Sequence, residues 1–346
     1  MIAAWLRRHR LAIGVLSLAL LPVAGTLAIA EVRRAAPAPT QITVNATPIV
    51  AFDNREPSRT RFGALEFRGG LALTSDYRAF GGISAIHAEP DGSHFLALTD
   101  YGSWLRGRIV YRDGKPVGVA DAEMAPMLGP DGVPLGARHR YDSEALTELD
   151  GMFYVGVERI ERIVRFAYRR DGLAARGQPI PVPADFKTFT YNASLECLAA
   201  PSKGSPLAGE LIVVTEHSLD AQGNHRSFLI KGKDFSRFSV KRSDDYDVSD
   251  CTILPPADML LLERRVSPAC GIGMRIRRLP LADIKPGALV DGKLLLEADL
   301  GYQIDNMEGI AVHRNADGET IITLVSDDNF SVIQRNLLIQ FALVGE

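Results

Sequence analysis

Residues 305–330 read DNMEGIAVHRNADGETIITLVSDDNF. Two apolar runs, GIAV and TIITLV, flank an Asp-Gly turn signal, which is the pattern of a β-hairpin. Glu308 precedes the first run, and Asp327 and Asp328 follow the second. A hairpin returns its second strand to the start of its first, so these carboxylates should stand at one end. The arrangement recurs upstream, in GGISAIHAEPDGSHFLALTDYG (81–102), YDSEALTELDGMFYVGVERIER (141–162), NASLECLAAPSKGSPLAGELIVVTEHS (192–218) and DVSDCTILPPADMLLLERR (247–265). The leading polar residues are Ser84, Glu144, Glu196, Asp250 and Glu308, spaced by 60, 52, 54 and 58 residues. Each is followed by a small residue: Ala85, Ala145, Cys197, Cys251 or Gly309. The trailing acidic positions are Asp100, Glu158, Glu216, Glu263 and Asp327.

A repeat of about 56 residues with room for four strands predicts a β-propeller blade. The rest of the chain agrees with an all-β fold. Short runs such as FYVGV, ELIVVT and MLLLE are separated by turn signals, and no long stretch carries helical periodicity. Asp-Gly occurs at Asp91, Asp113, Asp131, Asp150, Asp171, Asp291 and Asp317, a dipeptide suited to tight hairpin turns. Chain length divided by the repeat predicts six four-stranded blades, the least regular being the stretch before Gly81. Pairing of ITVNATPIV (42–50) with LLIQFALV (337–344) would close the ring and protect its last edge.

Residues 1–30 stand apart. An arginine-rich start, MIAAWLRRHR, precedes twenty uncharged residues ending in Ala28-Ile29-Ala30, which predicts a signal peptide or an uncleaved anchor helix. Residues 31–44 read as a Pro/Ala-rich linker, and 45–346 as a single propeller domain. The chain is thus expected to be exported, in the periplasm or cell envelope, as a monomer that meets the membrane only through that first segment. The formal net charge of −3 and the lack of a later basic run exclude a nucleic-acid footprint. Of three cysteines, Cys197 and Cys251 lie in apolar strand patterns and read as buried thiols, and no spacing suggests zinc.

In a propeller the first strand of each blade lines the central channel. Nine carboxylates would then crowd one mouth: Asp100, Glu144, Glu158, Glu196, Glu216, Asp250, Glu263, Glu308 and Asp327. Like charges so close need neutralising. A hard divalent cation, Ca²⁺ first, accepts several carboxylate oxygens in loose geometry. Arg159, Arg264, Arg265 and His217 follow the trailing acids and are candidates for holding a small anionic substrate such as a phosphate ester. No nucleophile stands out, since Ser84 lacks a nucleophile elbow. The competing account is that each carboxylate merely accepts backbone N–H bonds at its turn. His87, His94, His139, His225 and His313 lack ligand-like spacing and read as surface or satisfied interior residues.

GGISAI with DGSHFLALTDYGSWL, YDSEAL with FYVGVERIERIVRF, NASLECLA, SDCTILPPADMLLLERR, and DNMEGIAVHR with LVSDDNF together resemble the phytase-like family described by its "esterase-like activity of phytase". The resemblance runs from about residue 62 to 345. It implies an exported bacterial β-propeller with phosphoesterase or esterase activity. Glu308-Gly309, and more loosely Glu144-Ala145, also resemble the metal-ligating Glu-Gly of calcium-dependent lactonase and gluconolactonase propellers. Asp100-Tyr101-Gly102 departs from the family's Asp-Arg-Gly, and the acidic loops of true propeller phytases are missing, so phytate is not the expected substrate. The expectation is a metal-assisted ester hydrolase with Glu144, Glu308, Asp100 and Asp327 as first ligands. The alternatives are a non-catalytic binding propeller with structural calcium, and a lactonase.

Overall fold

The computed structural model describes residues 38–138, 142–160, 162–189, 194–267 and 271–345. The segment read as a signal or anchor, the linker up to residue 37, His139 and Cys270 lie outside these. No described helix is long and apolar enough to cross a membrane.

Among the described residues, twenty-four strands form five antiparallel-cored sheets, each a blade. The inner strands are Ile83–Ala88, Ser143–Leu149, Cys197–Ala199, Asp247–Leu254 and Asn306–Arg314, in blades 1 to 5. Each contacts the next, and the fifth returns to the first, closing the ring around an axis. The second strands, His94–Thr99, Met152–Val157, Leu211–Leu219, Asp258–Ser267 and Thr320–Asp327, lie next outward. Two of the Asp-Gly pairs make two-residue hairpins with both residues at positive φ: Asp113 (52°) with Gly114 (71°), and Asp150 (51°) with Gly151 (76°). These are the left-handed angles for which the dipeptide is suited.

The ring has five blades, not six. The stretch before Gly81 builds no blade of its own. Leu65–Thr74 instead pairs along Asn336–Leu343 as the fourth strand of blade 5, and Asn45–Ile49 adds a fifth strand beyond it. Thr40–Gln41 extends the outer edge of blade 1. The expected pairing of 42–50 with 337–344 is not direct: Leu65–Thr74 lies between them, so N- and C-terminal segments share blade 5 and use the residues that a sixth blade would need. The arrangement covers the outer edge of Asn336–Leu343 and leaves the short Asn45–Ile49 as the edge of the blade.

Apolar faces of neighbouring blades form the core. Trp104 of blade 1 is buried against Phe153 and Phe166 of blade 2, its ring edge-on to Phe166 at 5.1 Å. Phe52, Phe62, Phe67 and Phe341 join Leu260 and Leu262 between blades 5 and 4. In blades 1, 2, 3 and 5 the residue after the leading polar one is Ala85, Ala145, Cys197 or Gly309, small because the axis is tight. A β-carbon on Gly309 would lie 2.6 Å from Val325 Cγ2 and 3.1 Å from Ala85 Cα. Cys197 and Cys251 are not thiols: they form a disulfide that ties the inner strands of blades 3 and 4, with Cα atoms 5.1 Å apart. Their spacing of about one blade put them on adjacent inner strands, where two apolar positions become a bridge.

Candidate metal centre at the channel mouth

Four inner strands carry a β-bulge near their start. The register against the second strand slips at Ser84 in blade 1, Glu144 in blade 2, Ser249 in blade 4 and Glu308 in blade 5. In blade 3, the bond from Glu216 N–H to the Ser194 carbonyl (3.2 Å) beside the Cys197–Val214 pair leaves Glu196 as the corresponding extra residue. A bulge leaves its extra residue out of the ladder and re-aims its side chain. Around the axis the order is Ser84, Glu144, Glu196, Ser249, Glu308.

Blade 4 thus departs from the repeat as first aligned. Its leading residue is Ser249, one position before Asp250, and its trailing residue is Arg264, one position after Glu263. A slip of one residue reverses which face a side chain takes. Asp250 is turned into the blade interface, where it accepts from the backbone N–H groups of Cys251 (2.7 Å) and Ile310 (2.8 Å). Glu263 is fully buried away from the mouth, bound by Arg275 (2.7 and 3.0 Å) and Arg277 (2.7 and 2.8 Å). Ser249 Oγ donates to the Met307 carbonyl (2.9 Å), and Ser84 Oγ to that of Ser143 (2.5 Å), each stitching its blade to the next.

The three glutamates meet. One carboxylate oxygen each of Glu144, Glu196 and Glu308 lies within 4.8 Å of the other two. Glu196 and Glu308 are 3% and 5% exposed, and the Oε2 atom of each is buried without a hydrogen-bond partner. Glu308 Oε1 accepts from Asn306 Nδ2 (2.7 Å) and from Arg264 Nη1. The Arg264 guanidinium also reaches Asn306 Oδ1 (2.9 Å) and Glu216 Oε1 (3.0 Å). Asp100, Asp142 and Asp327 complete the rim.

Burial and mutual repulsion govern the protonation of this group. Glu144 is pushed well above the usual carboxylate range, by burial first and then by Asp100 and Glu196. Glu196 moves the same way, through burial and the charges of Glu216 and Glu158. Asp100 is raised to about 8 by burial, Asp327 and Asp142, and Asp327 to about 6, chiefly by burial. Carboxylates held this way need protons or a cation. The donor set fits a hard divalent ion: all oxygen, several carboxylates, and two buried oxygens with no partner.

The other expected residues are placed differently. Glu158 Oε1 accepts from the N–H groups of Ser194 and Leu195 (3.0 Å), clamping blade 2 to blade 3, as the turn-ordering account has it. Arg159 donates to Asp142 (2.8 Å), Arg265 stacks over Tyr246 at 4.7 Å, and His217 Nδ1 lies 2.9 Å from Asp247. Asp142 was not foreseen as a site residue. It stands two residues before Glu144, as Asn306 does before Glu308, and strand alternation was the signal for both.

No individually curated protein matches this sequence. Among solved structures, the catalytic domain of a Coprinopsis cinerea GH62 alpha-L-arabinofuranosidase aligns at 13% identity and TM-score 0.47, covering 78% of this chain and 94% of that one. A PQQ-bound aldose sugar dehydrogenase from Streptomyces coelicolor aligns at 14% identity and TM-score 0.39, covering 89% and 99%. The Myxococcus xanthus glutaminyl cyclase aligns at 11% identity and TM-score 0.39, covering 77% and 92%. A family model described as "Phytase-like: Esterase-like activity of phytase" matches residues 78–330. That span takes in all five inner strands and the whole acidic mouth. The chain belongs to the phytase-like family.

Proposed function

We propose that Glu144, Glu196 and Glu308 hold a divalent cation, Ca²⁺ by donor chemistry, and that this mouth hydrolyses a phosphate or other ester. The observation that carries the reading is the meeting of three carboxylates from three blades, two of them with a buried, unpartnered oxygen. A bound hard cation supplies charge neutralisation and Lewis-acid polarisation of an ester or phosphoryl oxygen. The protein's own groups provide the frame. Inner-strand bulges fix the glutamates, Asn306 and Arg264 orient Glu308, and Asp100 and Asp327 line the approach. Arg264 is the cation nearest the centre and would meet an anionic group of the substrate on exchanging one carboxylate partner.

The Cys197–Cys251 disulfide supports export to an oxidising compartment, in keeping with the reading of residues 1–30. A second reading, a non-catalytic binding propeller with structural calcium, is favoured by one observation. Arg159, Arg264 and Arg265 are each engaged with a carboxylate or an aromatic ring.

Calorimetric titration with Ca²⁺ and hydrolysis of 4-nitrophenyl phosphate and 4-nitrophenyl acetate, with calcium and with chelator, separate the cases. Calcium-dependent turnover supports the hydrolase. Calcium binding without turnover of either ester leaves the binding propeller, and no calcium binding overturns both.

A further inference from the structure

The inner strands all run away from the acidic mouth, and their far ends surround a second space. It is a cavity of about 400 Å³ with contributions from all five blades. Its lining begins two residues past Glu144, at Leu146, and three past Glu308, at Ala311, about 7–10 Å along the strands at the usual rise. The cavity is therefore a separate site at the opposite end of the channel. Ile86, Leu146, Ala200, Ile253, Ala311 and Val312 make its walls apolar, and the volume falls at the lower end of the roughly 300–1,000 Å³ of small-molecule sites.

Its polar groups are few. His313, 4% exposed, lines the cavity with its Nδ1 buried and unpartnered, contrary to the satisfied interior histidine the sequence suggested. Its ring is wedged against Gly92, where even a methyl group would lie 2.2 Å from Cδ2, so the imidazole is held in place. His87 adds an Nε2 that makes no hydrogen bond and lies 3.5 Å from Glu148 Oε2. Burial lowers the pKa of both histidines, which keeps them neutral. The one carboxylate in the wall, Glu148, is gripped by Arg169 through two hydrogen bonds (2.8 and 2.6 Å), with Glu89 on the same guanidinium (2.5 Å). Arg314 is exposed and donates to the Gly318 carbonyl (3.1 Å).

We propose that this far mouth binds a small, uncharged, mainly apolar molecule that carries one hydroxyl or similar hydrogen-bonding group for His313 Nδ1. A charged ligand would find no unpaired counter-charge among the apolar walls, Arg314 lying exposed to solvent, and would lose its hydration. An uncharged ring compound fills the apolar walls and satisfies the orphaned nitrogen.

The probe is p-cresol, followed by ligand-observed NMR on the full protein, with benzoate as the charged counterpart. Saturable binding of p-cresol well above that of benzoate is expected, with His313→Phe weakening it about tenfold while keeping ring volume. Thr252→Phe, which fills the cavity from a half-buried wall position, should abolish it, and chelator should leave it unchanged. Circular dichroism verifies that both variants are folded; a third, Thr147→Phe, replaces either one that is not. Absence of p-cresol binding, equal binding of benzoate, or full binding by the cavity-filled variant would overturn the proposal.

Discussion

At the residue scale, the behaviour of the mouth turns on how few cations sit among many acids. Arg264 bridges Glu216 and Glu308, so its replacement by Met leaves two crowded carboxylates without their partner. In chelator that variant should lose about 3 kcal/mol of stability by urea denaturation, as expected for breaking a buried pair from one side. Saturating calcium should restore most of it. Glu308→Gln tests the centre itself. Even partners one layer removed from a metal contribute about 10–100-fold to affinity, so this change should weaken calcium binding at least that much by calorimetry. Unchanged affinity would remove Glu308 from the ligand set.

The raised acids also set the direction of the pH response. Asp100 moves from 3.8 to about 8 on folding and Asp327 from 3.8 to about 6. A carboxyl raised in the folded state binds its proton more tightly there, so folding is favoured while it stays protonated. That advantage is lost as pH climbs from about 4 through about 8. The melting temperature in chelator should fall between about pH 5 and pH 8.5, and calcium should flatten the slope. A rise over that window contradicts the crowding.

At the scale of the element, the β-bulge is the device that re-aims the leading residue of a blade. It turns a residue that ladder alternation would bury or expose into one that faces the axis. Most of this was legible. Glu144, Glu196 and Glu308 precede small residues at near-constant spacing, and that spacing brings them to the axis. Blade 4 was not, because DVSDC offers two polar residues where the others offer one. Asp250-Cys251 imitates Glu308-Gly309 in type, while the bulge lies at Ser249, and nothing in local composition marks a one-residue shift of register. The close approach of blade 5 to blade 1 is equally specific. Gly309→Val would press on Val325 and the Ala85 backbone, and overpacking of this kind typically removes about 1–3 kcal/mol, measurable by denaturant unfolding. Calcium affinity should fall with it, since Glu308 is the adjacent residue.

At the scale of the whole molecule, the architecture was legible and the blade count was not. Outer strands carry no chemistry and hence no repeat, so Leu65–Thr74 and Asn45–Ile49 gave no sign of which blade they join. The pairing of Leu65 with Leu343 places the first in blade 5, and that of Asn45 with Thr74 adds the second. The disulfide acts at this scale too, since it joins blades 3 and 4 across 54 residues. Cys197→Ser with Cys251→Ser should lower stability by about 2–4 kcal/mol through the freedom restored to the unfolded chain. The same loss should follow from reductant in the parent protein and be absent in the double variant.

Blade 5 draws its strands from opposite ends of the described chain, and Glu308 belongs to it. Synthesis makes Leu65–Thr74 early, beside Asn45–Ile49 and Arg61–Phe62, yet its partner on the side toward the axis, Asn336–Leu343, is produced only after blades 1 to 4. The glutamate triangle takes its third member, Glu308, from this late-completed blade. If the proposed metal binds, its capture would report on completion, since a chain cut short before Asn336–Leu343 would leave Leu65–Thr74 without its partner on the side toward the axis. Calcium would then load only onto finished molecules, in whichever compartment finishing takes place.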